Sequence, residues 1–230
     1  MTNRRRARAG FTLVEITLVI AIIGIAAAMA IPSLQTMTAH NRVRDASSAV
    51  SDAMASARAQ AISSGNNIVI YFNTGLNGGQ DICSNPLEDF NGDPVPILIL
   101  DDGPPGNANS NCCIDAGEGI EVRYPVQGVG WGTQMATIPA PNDPDLALNY
   151  VNGPTFTDPT GLNTEWVLFR PDGVPVGFND NGGPCAPGQI GSGGGALYLS
   201  NAERDKAVVL TPLGGIKVHT WERTAGVWTN

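Results

Sequence analysis

Between Phe11 and Ile31 the chain is apolar over roughly 21 residues and carries a single charge, Glu15. At about 1.5 Å per residue, a helix over this run is about 30 Å long, the thickness of a bilayer's hydrocarbon core. A carboxylate near a bilayer centre costs about 2.5–3.5 kcal/mol, so a retained one marks function. Four arginines, Arg4, Arg5, Arg6 and Arg8, precede the run. Their placement predicts a cytoplasmic N-terminus by the positive-inside bias.

Three generic readings of this segment compete. A secretory signal peptide would use Ala28-Met29-Ala30 as its small-residue cleavage site, but its apolar core would then hold a charge. A twin-arginine signal fits the triple arginine and not the residues after it. A plain transmembrane anchor would leave Glu15 to snorkel.

The order Gly10-Phe11-Thr12-Leu13-Val14-Glu15, behind a short basic leader and with Pro32 closing the apolar run, is more specific. It resembles the type III signal of the type IV pilin and type II secretion pseudopilin superfamily. The resemblance implies cleavage between Gly10 and Phe11 by a prepilin peptidase, followed by N-methylation of Phe11. It also implies that Glu15 pairs with the N-terminus of a neighbouring subunit during assembly, a pairing that makes a desolvated carboxylate tolerable. Implied partners are other major and minor pilins or pseudopilins and an inner-membrane assembly platform, with inner-membrane lipid around the helix beforehand. Gly24 and Pro32 are weak points at which the helix is expected to kink or melt locally.

Beyond Pro32 the sequence turns amphipathic without leaving the helical period. Ala39, Val43, Ala46, Val50, Ala53, Ala57 and Ala61 recur at three- and four-residue steps, with Arg42, Arg44, Asp45, Asp52 and Arg58 on other faces. Gly65-Asn66-Asn67 is a stop signal. One helix of about 54 residues, roughly 80 Å long, is therefore expected from Phe11 to Ser64. Its alanine-rich face suits close packing on a sheet and makes a weak coiled-coil seam.

From residue 66 the expected period is two. Strands are predicted at Asn67–Asn73, Val95–Asp101, Gly119–Pro125, Glu165–Arg170, Ala196–Ser200, Lys206–Thr211 and Gly215–Trp221. The last two form a hairpin across Pro212-Leu213-Gly214. Long loops separate them at 74–94, 102–118 and 126–163. The predicted class is α+β: a long N-terminal helix, half membrane and half amphipathic, on an antiparallel β-sheet domain with long disulfide-stapled loops. The predicted organisation is a cleaved leader 1–10, a membrane and filament-core helix 11–32, an amphipathic helix 33–65 and a β-rich domain 66–230 outside the inner membrane.

The downstream residues narrow the resemblance. Asn41-Arg42-Val43-Arg44, Ala57-Arg58-Ala59-Gln60-Ala61, Ile97-Leu98-Ile99-Leu100-Asp101-Asp102-Gly103 and Phe169-Arg170-Pro171-Asp172-Gly173 are similar to GspH/FimT-type minor pilins and pseudopilins. Some of that group contact DNA with a basic tail on the last hairpin. Here the equivalent stretch, Gly215-Ile216-Lys217-Val218-His219, holds one lysine, and Glu222, Glu203 and Asp205 offset Arg223 and Arg204. Without the leader, 9 basic face 21 acidic side chains, a sum of −12. Nucleic-acid binding needs a basic stripe, so this balance argues against it.

Four cysteines, Cys83, Cys112, Cys113 and Cys185, predict two disulfides in an exported domain. A bridge between adjacent Cys112 and Cys113 is strained, so Cys83 and Cys185 are expected to reach one each, in either order. Zinc ligation lacks the spacing. Asp89, Asn91 and Asp93 alternate as at the start of a calcium loop, and Asp101 and Asp102 offer further oxygens. Pro94 stands where an EF-hand needs its glycine, leaving an irregular cage or plain turns. Neither a nucleophile elbow nor a P-loop is present, and Gly191-Ser192-Gly193-Gly194-Gly195 precedes a strand, so it reads as a flexible loop. The chain is expected not to be an enzyme. His40 reads as a polar-face residue, and Trp228 as the tryptophan best placed for an exposed contact.

Overall fold

A computed structural model describes residues 12–89, 91–107, 110–125, 127–143, 148–179 and 185–230. The chain divides into two compact units, one ending at Ala39 and one from His40 to Asn230. A single helix, α1 (Leu13–Ser64), is assigned across both. It is α-helical at Gly24 and Pro32, the two positions where the sequence predicts a kink or local melting, and the helix is unbroken at both. A proline removes one donor only, and the bonds on either side keep the helical path.

In the first unit the helix is bare. Every large apolar side chain from Leu13 to Met37 is at least half exposed, Ile16 and Val19 being the least so at 51%. The segment is long and apolar enough to cross a membrane.

In the second unit the alanine stripe is enclosed. Val43, Ala46, Val50, Ala53, Met54, Ala57 and Ala61 are fully buried. Small side chains let the helix axis approach the strands closely, which is how alanine earns a core position here.

The strands in chain order are β1 (Ile68–Phe72), β2 (Ile97–Asp101), β3 (Gly119–Arg123), β4 (Gly130–Trp131), β5 (Phe156–Thr157), β6 (Asn163–Thr164) and β7 (Trp166–Phe169). They continue as β8 (Pro175–Val176), β9 (Phe178–Asn179), β10 (Ala186–Pro187), β11 (Gly195–Ser200), β12 (Asp205–Leu210), β13 (Ile216–Glu222) and β14 (Val227–Thr229). All seven predicted strands form, with ends moved by a residue or two. Two antiparallel sheets carry the fold, ordered β3-β2-β1-β7-β8 and β14-β13-β12-β11-β4. The α+β class holds.

Three apolar clusters explain the strand sequences. The first joins α1 to the inner faces of both sheets through Ile68, Ile70, Phe72, Ile99, Val208 and Leu210. The second lies on the outer face of the first sheet, where Val69, Tyr71, Leu98 and Leu168 meet Leu87, Val95 and Cys112 from the long loops. The third covers the outer face of the second sheet, with Ala136, Ala140 and Tyr150 packed on Tyr198, Val209, Trp221 and Trp228. The long loops are therefore lids over the outer faces. This is why β1, Ile-Val-Ile-Tyr-Phe, is buried at every position and shows no polar alternation.

Candidate functional site

The start of α1 is closed by its own side chains. Thr12 donates to Glu15 Oε2 from both its backbone N–H and its hydroxyl, each at 2.9 Å. Glu15 N donates back to Thr12 Oγ1 at 3.3 Å. This is a capping box, which satisfies amides that a helix start leaves orphaned. The Thr-x-x-Glu spacing announces it, and treating Glu15 only as a stray charge overlooks that signal. The cleavage pair Gly10 and Phe11 lies outside the described residues. Gly24 has no neighbour of its own chain within 4 Å of where a side chain would begin.

The cysteines form two bridges, Cys83–Cys113 and Cys112–Cys185. Two carboxylates hold this junction. Asp81 accepts from Cys83 N at 2.9 Å, Asn85 N at 2.7 Å and Ile114 N at 2.8 Å, so it grips both sides of the first bridge. Asp102, 2% exposed, accepts from Ser110 Oγ and from Cys112 N, both at 2.7 Å. Burial pushes the Asp102 carboxyl up to about 6, overcoming the bonds from Ser110 and Cys112 that pull it down. Burial likewise raises Glu118 to about 7, with the charges of Asp102 and Asp115 adding to the effect. The Tyr71 phenol donates to the Cys112 carbonyl, and burial drives its pKa well above the ordinary value.

The calcium cage does not form among the described residues, where no group of three or more His, Cys, Asp or Glu is placed to hold a metal. Asp89 instead organises its own turn, accepting from Asn91 N at 2.8 Å and Asp93 N at 3.1 Å. Those two backbone bonds, Asp93's first, lower its pKa. Asp101 accepts from Asn66 Nδ2 at 2.8 Å, while Asp102 turns to Ser110. The five residues thus fall into three hydrogen-bond sets: Asp89, Asn91 and Asp93 in one turn, Asp101 with Asn66, and Asp102 with Ser110.

Two buried carboxylates that the sequence reading missed fix the remaining lids. Glu165, fully buried, accepts from Thr74 N at 2.9 Å, Thr74 Oγ1 at 2.6 Å and Asn77 N at 3.1 Å. Asp205, also fully buried, accepts from Gln134 N at 3.1 Å and from Met135 N and Ala136 N at 2.7 Å. Taken in sequence, Asp205 is one more acid offsetting Arg204. In the fold its charge is spent on three amides of a distant loop.

Other expectations need correction. Trp228 is 8% exposed: it donates from Nε1 to Ile138 O at 2.9 Å and packs edge-on against Trp221 and Tyr198. The glycines of 191–195 serve close packing as well as turning. A side chain on Gly193 would collide with the backbone of Pro175 and Val176, and one on Gly195 with Phe156. Arg58, placed by periodicity away from the stripe, is half-buried and donates to Gly214 O at 2.7 Å. His40 is half-buried. His219 is 3% exposed, and burial, then the charge of Lys217, lowers its pKa.

With this geometry in view, the comparisons with known proteins fall on the start of the chain. A family model for the prokaryotic N-terminal methylation motif matches residues 5–31. Two fimbrial proteins of Pseudomonas aeruginosa are each 50% identical to the chain over 64 residues, 28% of this chain and 41% of theirs. The match thus spans less than half the length of those relatives. No solved structure matches the chain.

Proposed function

We propose that this type IV pilin-like chain is a minor pilin or pseudopilin of the GspH/FimT kind. In this reading prepilin peptidase cuts after Gly10, Phe11 is N-methylated, and the subunit enters a type II secretion pseudopilus or a type IV pilus through α1. It works by assembly rather than turnover, beside other pilins and an inner-membrane platform. The N-terminus is cytoplasmic and the β-rich unit periplasmic before assembly.

The exposed apolar half of α1, headed by Glu15, carries the reading. Side chains from Leu13 to Met37 are exposed along their own chain, so they require lipid at one stage and other protein at another. A cut after Gly10 places a new ammonium one helical turn from Glu15. The Glu15 carboxylate, now held by Thr12, then has a neighbour's ammonium as an alternative partner of full charge.

Co-expression with a prepilin peptidase, followed by intact-mass measurement, tests this. The expected product begins at Phe11 and carries the mass of one added methyl group. A mature chain beginning at Ile31, or an uncut leader, would overturn it.

A further inference from the structure

The first sheet ends at an uncovered strand. β3 stands last in the order β3-β2-β1-β7-β8, and among the described residues no strand pairs with its outer side. The ladder fixes which groups that side presents, because antiparallel pairs alternate between those that exchange backbone hydrogen bonds and those that do not. Asn73 N donates to Pro96 O at 2.9 Å, so the bonded pairs of β1 with β2 continue at Tyr71–Leu98 and Val69–Leu100. Ile97, Ile99 and Asp101 are left to bond β3, at Arg123, Glu121 and Gly119. Ile120 and Val122 therefore direct their N–H and C=O groups outward, and Tyr124 continues the same parity.

The side chains of this edge divide between two faces. Ile120 and Val122 join the outer cluster with Leu98 and Leu100, and Tyr124 beyond them is 58% exposed. Glu121 and Arg123 lie on the helix side, where Glu121 accepts from Gln60 Nε2 at 2.7 Å and forms an ion pair with Arg123. The Arg123 side chain stays half exposed. Charges on an edge strand commonly keep other strands away, and charges of a single sign do so against a second copy. A glutamate and an arginine two residues apart behave otherwise. Read against itself in the antiparallel direction, this pattern is its own complement.

We propose that β3 pairs with β3 of a second copy, antiparallel, about a two-fold axis through Val122. Val122 meets the other copy's Val122 as a bonded pair, and Ile120 and Tyr124 form bonded pairs on either side. Glu121 then stands opposite the other copy's Arg123 in the closer, non-bonded pairs, and four charges alternate in sign across the seam. No neighbouring axis serves. One at Glu121 or Arg123 sets like charges face to face, and one at Ile120 or Tyr124 leaves both charges opposite neutral residues.

A two-fold axis through a sheet reverses everything that lies along it, including the part of α1 from Val50 to Ala61 packed on its inner face. Two copies anchored in one membrane run that helix the same way, so the contact falls between subunits that different filaments present. That consequence rests on the function proposed above, whereas the pairing itself rests on β3 alone.

Sedimentation equilibrium of the full chain in density-matched detergent tests the pairing. A reversible dimer is expected with a dissociation constant below roughly 100 μM, fitting an interface at the small end of the range. Glu121→Arg and Arg123→Glu each set like charges across the seam and should weaken the dimer at least about tenfold. An equimolar mixture of those two variants should restore it. Val122→Pro removes only an outward N–H, a place where an edge strand accepts proline, so the chain should keep its fold and lose the dimer. Association through the bare half of α1 would ignore every one of these substitutions, and that result overturns the proposal. So does a chain that stays monomeric at about 100 μM, or a variant mixture no tighter than either variant alone. Each of these outcomes leaves the reading of the N-terminus standing, because none depends on the cleavage.

Discussion

Arg58 Nη1 donates to the carbonyl of Gly214 at 2.7 Å, joining the C-terminal end of α1 to the β12–β13 turn across 156 positions of sequence. Gly214 is buried at φ +81°, and a side chain there would meet both Gly173 O and the Arg58 guanidinium. Arg58→Ala leaves a buried carbonyl unpaired and should cost about 1–3 kcal/mol in urea unfolding. Gly214→Ala should be destabilising as well, because the conformation is strained for any side chain.

Asp205 is the anchor of the 133–140 loop. Asp205→Asn keeps the shape but turns an amide toward N–H groups that need an acceptor. A loss of about 1–3 kcal/mol is expected. Hydrogen exchange should accelerate at Met135 and Ala136 while the amides of β1 stay protected, which locates the damage.

Asp102 gives a pH signature. Its folded value, about 6, lies above the ordinary unfolded value of about 3.9. The native state thus binds the proton more tightly, and this group's contribution to stability falls as pH rises from about 4 to about 6, then levels off. Glu118, raised to about 7, extends the same trend upward. Asp102→Asn removes the first part. Its denaturation midpoint should rise relative to wild type between pH 4 and pH 6 and keep a constant difference at higher pH.

The disulfides close loops of unequal size, with separations of 73 for Cys112–Cys185 and 30 for Cys83–Cys113. Replacing either pair by serine should cost about 2–4 kcal/mol in guanidinium unfolding. The larger loop should cost about 0.8 kcal/mol more than the smaller, from chain entropy alone.

Glu15→Ala should leave the protein in the membrane fraction, since the apolar run is intact. Its incorporation into sheared filaments should fall at least about tenfold, as expected for losing one partner of a desolvated pair. Equal incorporation of wild type and variant would remove the assembly role of this carboxylate.

What the sequence announced and what it hid follow physical lines. Local periodicity exposed the Val43–Ala61 stripe and the seven longer strands, because burial on one side of a regular element repeats at short range. The short strands β4 to β6, β8 to β10 and β14 are two or three residues long and leave no period to read. Glu165 and Asp205 look like surface acids because their partners lie 88 to 91 and 69 to 71 positions away. Trp228 looked exposed from its terminal place, whereas the Ile138 carbonyl that buries it comes from a loop 90 positions earlier. Thr12–Glu15 was different: its signal was local and was present in the sequence.

The two bridges overlap only at the bond between Cys112 and Cys113. A protease that cuts anywhere between Cys83 and Cys113 leaves fragments still tied by the first bridge. A cut between Cys112 and Cys185 leaves them tied by the second. Even a cut between Cys112 and Cys113 separates nothing, since each half keeps a sulfur linked to the other. Over these hundred or so residues, the segment that carries most of the lid over the first sheet survives a single nick as one covalent piece.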